Sequence, residues 1–233
     1  MPAAKAVFFD VDFTLIFPGP AFQPEGYAQL CARHGVAADP ARFDAAAAAA
    51  AEVLADEAGD LAYDPEVFLE FARRLIRGMG GDGPGVETCA REIYDAWAEC
   101  GHFQLYEEVP DVLRTLYAAG VRIGLISNTH RCLETFQRHF ALDGLIAAAV
   151  SSFAHGYMKP HPSIFAAALR QAGIDRPADA VMVGDSLVHD IAGALRLGMR
   201  GVLVRRGGPP QPVPAGVPVI TTLRELPPLV GVG

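Results

Sequence analysis

Of the 233 residues, 51% are hydrophobic and 20% charged, and the formal net charge is -8. That balance excludes a disordered chain, and the surplus of acids removes any general attraction to nucleic acid or to an anionic membrane surface. A small anionic ligand stays open, because local cations or a metal can dominate one pocket.

Cys31, Cys89, Cys100 and Cys132 form no C-x-x-C pair and no compact metal spacing. Free thiols in a reducing cytoplasm are therefore expected. The opening "MPAAKAVFFDVDF" lacks the apolar centre of a secretion signal. No long apolar run is free of charge and turn residues, so no membrane span is expected. Nothing in the sequence demands a dimer, and a monomer is the simplest expectation.

In chain order, "KAVFFD" (5–10) predicts a short, fully buried strand, closed by "FPGP" (17–20), a cluster of turn and breaker residues. Helical patterns follow from about 22 to 100. "PEGYAQLCARHG" ends in a glycine suited to a helix C-terminus. "DPARFDAAAAAAAEVLADEAG" carries the alanines 45–51, the best helix formers. "DPEVFLEFARRLIRG" offers Asp64 as N-cap and Pro65 at the first helical position. "PGVETCAREIYDAWAECG" puts Val86, Cys89, Ile93, Trp97 and Cys100 along one face.

Beyond residue 105 the texture changes. Helices are predicted at "VPDVLRTLYAAG", "RCLETFQRHF", "HPSIFAAALRQAG" and "HDIAGALRLG". Strands are predicted at "VRIGLISN", "LIAAAVSS", "DAVMVGDS" and "MRGVLVRR". A proline-rich link, "GGPPQPVPAGVP", leads to a last short strand and helix in "VITTLRELPPLV". Apolar strands alternating with helices predict an α/β fold, a doubly wound parallel sheet covered on both faces. The roughly 85 helical residues after the first strand are too many for an ordinary crossover. They predict a helical domain over 17–105 inserted into a core made of 1–16 and 106–233, with hinges near 16–20 and 101–108.

In such sheets ligands bind at the carboxyl ends of the strands. The chain places its unusual polar residues there: Asp10 and Asp12 in "DVD", Ser127, Asn128 and Thr129 in "ISNT", and Asp185 and Ser186 in "VGDS", with Asp190 one turn on. Lys159 lies between, in "GYMKPHP". Three acids converging on one spot repel one another unless a cation sits among them, and an all-oxygen site favours Mg²⁺. A lysine, a serine hydroxyl and free backbone N–H groups suit phosphoryl oxygens. One carboxylate can attack phosphorus, and a second can carry the proton of the leaving group.

These residues in this order resemble the haloacid dehalogenase superfamily: "DVDFT" for D-x-D-x-T, "GLISN" for the strand ending in Ser or Thr, "MKPHPSIF" for Lys-Pro, and "GDSLVHD" for the last acidic motif. The α/β part covers about two thirds of the chain, and the position of the insert matches the branch whose helical cap follows the first strand. The resemblance implies a Rossmann-like core and a Mg²⁺-dependent phosphatase acting on a small phosphorylated metabolite. It implies Asp10 as nucleophile and metal ligand, and Asp12 as general acid and base with its carbonyl on the metal. Ser127 and the Asn128 N–H would hold phosphoryl oxygens, and Lys159 would neutralise charge and orient Asp10. Asp185 would be a direct metal ligand, with Asp190 supporting the metal from the outer shell.

Two other functions fit parts of this pattern. A 2-haloacid dehalogenase shares the nucleophile but lacks an acid at the position of Asp12. A non-catalytic phospho-acceptor module shares the acids and Lys-Pro but carries no helical insert of this size. Phe13 stands where relatives often have Gly, and a bulky ring there is expected to alter the cap junction or the cleft floor; His189 stands where many have Asn and is not needed for the chemistry. His161 is expected to be a turn residue, His189 to face solvent at a helix start, and the Thr14 hydroxyl to bond local backbone. Phe17, Phe22, Tyr27, Tyr63 and Trp97 are aromatic candidates for facing a substrate, with core packing the plainer role for each.

Overall fold

The apolar run "AVFF" is β1 (Ala6–Phe9), buried at every residue. A strand covered on both faces has no reason to alternate, which is why it shows as a continuous apolar run. In the computed structural model, which describes residues 3–55, 60–207 and 212–233, β1 lies near the centre of a six-stranded sheet. After β2 (Ile16–Pro18) and β3 (Phe103–Leu105) come β4 (Arg122–Ser127), β5 (Ile146–Ser151), β6 (Ala180–Gly184), β7 (Arg200–Val204) and β8 (Val219–Ile220). The sheet order is β5-β4-β1-β6-β7-β8, and every pairing is parallel. β1 thus pairs with β4 on one side and β6 on the other, so the chain winds outward in both directions from β1. That is the topological switch point at which doubly wound sheets bind ligands.

The chain divides into two units, Met1–Phe17 with Leu105–Gly233, and Pro18–Gln104. In the first, one sheet face packs Phe8, Ile126, Val150 and Met182 with Ile164, Phe165 and Ala168 of the helix Pro162–Gln171. Gly124 leaves room for Phe8: a Cβ there would stand 2.3 Å from the ring.

The second unit is helical, with α1 (Pro24–Arg33), α2 (Phe43–Ala55), α3 (Pro65–Gly78) and α4 (Gly85–Trp97). Asp64 caps α3 by accepting from the Glu66 N–H, and Pro65 opens the helix. The division between units falls within β2 and β3, which pair as a two-stranded sheet. From its sequence "FPGP" is expected to be only a turn. Ile16–Pro18 is a strand instead; both strands of a two-stranded sheet are edge strands, where proline is tolerated. The end of the alanine-rich segment (56–59) and part of the proline-rich link (208–211) lie outside the described residues. Among the described residues no helix is long and apolar enough to cross a membrane.

Candidate active site

β1 ends at Phe9, and the next N–H, that of Asp10, donates to the Val183 carbonyl of β6 at 2.9 Å. Asp10 therefore stands at the carboxyl end of the sheet beside the end of β6, where Asp185 follows Gly184. Asp190 returns to the same place from a wide turn, Leu187–Ala192, in which the Ile191 N–H donates to the Ser186 carbonyl five residues back. Such π-type turns recur at functional sites. Asp190 Oδ2 accepts from the Ser186 N–H at 3.0 Å. Gly184 makes this approach possible, since a Cβ there would lie 2.1 Å from that oxygen.

Lys159 is buried and donates from Nζ to Asp10 Oδ1 and to Asp190 Oδ1, each at 2.6 Å. Asp10, Asp185 and Asp190 each offer a carboxylate oxygen within 4.8 Å of the others, a group that could hold a metal ion. Three acids share one ammonium, so surplus negative charge is concentrated there. Burial lifts the Asp10 carboxyl to about 6, with Lys159 pulling it down and Asp190 pushing it up. Asp185 is the exposed member, yet desolvation of its carboxyl, then Asp10 and Asp190, hold it well above the ordinary carboxylate range. Against the downward pull of burial, Asp10 and Asp190 raise the ammonium of Lys159 above its ordinary value. Desolvation and like charge therefore act together on Asp10 and Asp185.

Ser127 closes β4 and is buried. The last pair of β1 with β4 is Phe9 with Leu125, so Asp10 and Ser127, the latter still paired with Ser151 of β5, lie one and two residues beyond it at the same end of the sheet. Asn128 has a role that its motif does not advertise. Its Nδ2 donates to the Lys159 carbonyl at 2.9 Å, and its Oδ1 accepts from the Lys159 N–H at 2.6 Å. The side chain thereby clamps the lysine loop to the end of β4.

The carboxylate of Asp12 stands apart from the three-acid group and is taken by Arg131, whose Nη1 lies 3.0 and 3.2 Å from its two oxygens. The Arg131 side chain is fully buried. Burial lifts Asp12, Arg131 opposes that, and Asp10 adds to the rise, for a net upward shift. Arg131 is a site residue that no motif marks. It lies four residues beyond the end of β4, outside the motif, and its partner is 119 positions away.

Several expectations about single residues are now settled. Among the described residues the buried Thr14 hydroxyl has no hydrogen-bond partner; it is the Thr14 carbonyl that is engaged, accepting from Arg206. His161 is the N-cap of the helix Pro162–Gln171, its ring accepting from the Ser163 N–H. His189 is half-buried within the wide turn rather than facing solvent, its N–H donating to Ser186 Oγ. Phe22 and Tyr27 are core residues of the helical unit, with the Phe22 ring 4.5 Å from Trp97 and the Tyr27 ring 5.2 Å from Phe43. Tyr63 shares a 2.7 Å hydrogen bond with Tyr94. Phe17 falls in the α/β unit, 4.9 Å from Tyr106. A cleft of about 870 Å³ in the helical unit is lined by Arg33, His34, Glu92 and the aromatic candidate Phe22 among others, and by none of the strand-end site residues.

This fold and these strand-end residues define a class of α/β hydrolases. The profile of haloacid dehalogenase-like hydrolases matches residues 4–198, and the chain belongs to that family. It is 31% identical over 130 residues to haloacid dehalogenase-like hydrolase domain-containing protein 3 of Xenopus laevis, covering 56% of this chain and 53% of that protein. The match thus spans about half the length of that relative. It is 28% identical over 221 residues to glyceraldehyde 3-phosphate phosphatase of Pyrococcus furiosus, covering 89% of this chain and 83% of that one. YfnB from Bacillus subtilis, a HAD-hydrolase solved with magnesium bound, shares the fold with a TM-score of 0.74. That likeness covers 99% of this chain and 100% of YfnB at 18% identity, and so speaks to the fold alone.

Proposed function

We propose that the chain is a Mg²⁺-dependent phosphatase that hydrolyses a small phosphorylated metabolite through an aspartyl-phosphate on Asp10. The observation that carries this reading is the convergence of three carboxylates and one buried lysine at the switch point of the sheet. The phosphatase relatives support the same direction. The donor set fits the ion: all-oxygen ligands with surplus negative charge suit a hard dication. Asp10, Asp185 and the Asp12 carbonyl would hold Mg²⁺ directly, with Asp190 supporting it. When bound, Mg²⁺ would offset the carboxylates and draw charge from the phosphoryl oxygens.

In this reading the Asp10 carboxylate attacks phosphorus, and the bond to the leaving oxygen breaks as Asp12 protonates it. Asp12, now a carboxylate, then takes a proton from the water that hydrolyses the acyl phosphate. Ser127 and the Asn128 N–H hold phosphoryl oxygens, and Lys159 keeps Asp10 oriented and offsets charge. The helical unit serves as the cap and sets the leaving group. The enzyme would be cytoplasmic and monomeric, with no nucleic-acid or membrane partner.

The purified protein should release phosphate from an aryl phosphate with Mg²⁺, and lose that activity in EDTA. Asp10→Asn should abolish turnover, a loss of more than about 1,000-fold for a missing covalent nucleophile. Halide release from 2-chloropropionate without metal would point to a dehalogenase instead.

A further inference from the structure

We propose that Arg131 is a positioning residue for proton transfer, holding the Asp12 carboxyl in place and stabilising the anion it becomes when it gives up its proton. The inference rests on the phosphatase reading of the site.

The observation behind it is a fully buried guanidinium whose Nη1 meets both oxygens of Asp12, at 3.0 and 3.2 Å. Taking an arginine out of water is costly, and such groups persist where they are paired. The backbone around it is fixed as well. The Arg131 N–H donates to Thr129 Oγ1 at 3.0 Å, the Thr129 N–H donates to Ser152 Oγ at 2.9 Å, and the Phe153 N–H donates to the Thr129 carbonyl at 3.3 Å. The segment from Asn128 to Arg131 is thus pinned to the end of β5 on one side and to the lysine loop, through Asn128, on the other. A rigid loop carrying a buried cation to one carboxylate restricts where that carboxylate can point.

The chemistry gives this arrangement a use. When the bond between phosphorus and the leaving oxygen breaks, the proton of Asp12 passes to that oxygen and the carboxyl becomes an anion. A cation already in place stabilises that anion without reorganisation, the general advantage of preset electrostatics. When water attacks the acyl phosphate, the same oriented carboxylate accepts its proton. Arg131 touches neither phosphate nor water in this scheme; it acts through Asp12.

The test is the dependence on leaving group. Arg131→Gln should lower kcat/KM for an alkyl phosphate, whose departing alkoxide needs the proton, by about 100-fold, within the usual range for general acid catalysis. For 4-nitrophenyl phosphate, whose leaving group departs as a stable anion, the loss should stay below about 3-fold, because little general acid catalysis is at stake. In an Asp12→Asn background Arg131→Gln should add no further loss on either substrate. If Arg131→Gln does not fold, judged by circular dichroism, Arg131→Lys is read in its place. It keeps the charge and gives up the planar fork, and should show the same selectivity in smaller measure. Equal losses on both substrates, a further loss in the Asp12→Asn background, or faster turnover of the alkyl phosphate would each overturn the role of Arg131. Failure of the unmodified protein to turn over either phosphate would instead overturn the phosphatase reading itself.

Discussion

At the scale of single residues, Phe13 and Gly184 show how backbone and site are tied. Phe13 has φ 62°, in the left-handed region, the backbone conformation that glycine adopts most readily. A side chain held there costs about 1–2 kcal/mol. Phe13→Gly should therefore leave the α/β unit as stable as before, or more stable by up to about 1 kcal/mol after the entropy cost of glycine. Urea unfolding checks this, and a clear loss of stability would show that the ring, 45% exposed, makes packing worth more than the strain. Gly184 gives the opposite expectation. A methyl group there meets Asp190 Oδ2 at 2.1 Å, so Gly184→Ala must displace the carboxylate that Lys159 and Ser186 hold. Phosphatase activity should fall by at least about 10-fold, since small misplacements in a preset site are costly, while Mg²⁺ affinity measured by calorimetry weakens. Unchanged values of both would mean that the wide turn absorbs the shift. The acids and Lys159 were legible in the sequence because each sits at a strand end in a short motif. Arg131 and the clamp made by Asn128 were not, since long-range partners leave no mark on local spacing.

At the scale of elements, the alanine run has a purpose that helix propensity alone did not reveal. Ala46 and Ala50, four residues apart on α2, are buried, and α2 packs against α3. Gly78 at the end of α3 lies so close that a Cβ would stand 2.6 Å from the Cβ of Ala46. Small residues let the two helices approach, so Ala50→Leu should destabilise the helical unit by about 1–3 kcal/mol through overpacking. Exposed Ala49→Leu is the control and should change little. Thermal melts of the two variants separate a packing role from simple propensity, which would treat them alike. The strands of the six-stranded sheet were readable as apolar runs because burial on both faces removes alternation. β2 and β3 were not, because each has three residues and the pairing joins positions more than 80 apart in sequence. The four-residue helix Ser152–His155, capped by Ser151, was likewise too short to show a period.

At the scale of the whole molecule, the α/β unit is built from two distant stretches of chain, and its parts are tied by a part-buried ion pair that no motif announced. Glu108, just before the helix Val109–Ala118, accepts from Arg206 Nη1 at 2.8 Å, from Thr222 Oγ1 at 3.1 Å and from the Leu223 N–H at 3.3 Å. Arg206 also donates to the Thr14 carbonyl at 2.9 Å and lies 3.4 Å above the Tyr106 ring. One knot therefore joins the segment after β1, the start of the helix that follows β3, the end of β7 and the C-terminal turn. Burial pushes the Glu108 carboxyl up, but the backbone N–H groups and Arg206 around it outweigh that and hold it below its ordinary value of 4.5. A carboxyl depressed in the folded state contributes stability that is fully present above its unfolded pKa and is lost as pH falls through the folded value. Glu108→Gln should cost about 1–2 kcal/mol at pH 7, between the values for exposed and buried pairs, because it leaves the half-buried Arg206 without its anion. The gap between the two proteins should narrow steadily below about pH 4.5 as Glu108 is protonated in the unmodified chain. Urea unfolding followed by circular dichroism at pH 7, 5 and 3.5 measures that gap. A gap that does not change with pH would mean that the knot holds by shape and neutral hydrogen bonds, with its charge contributing nothing.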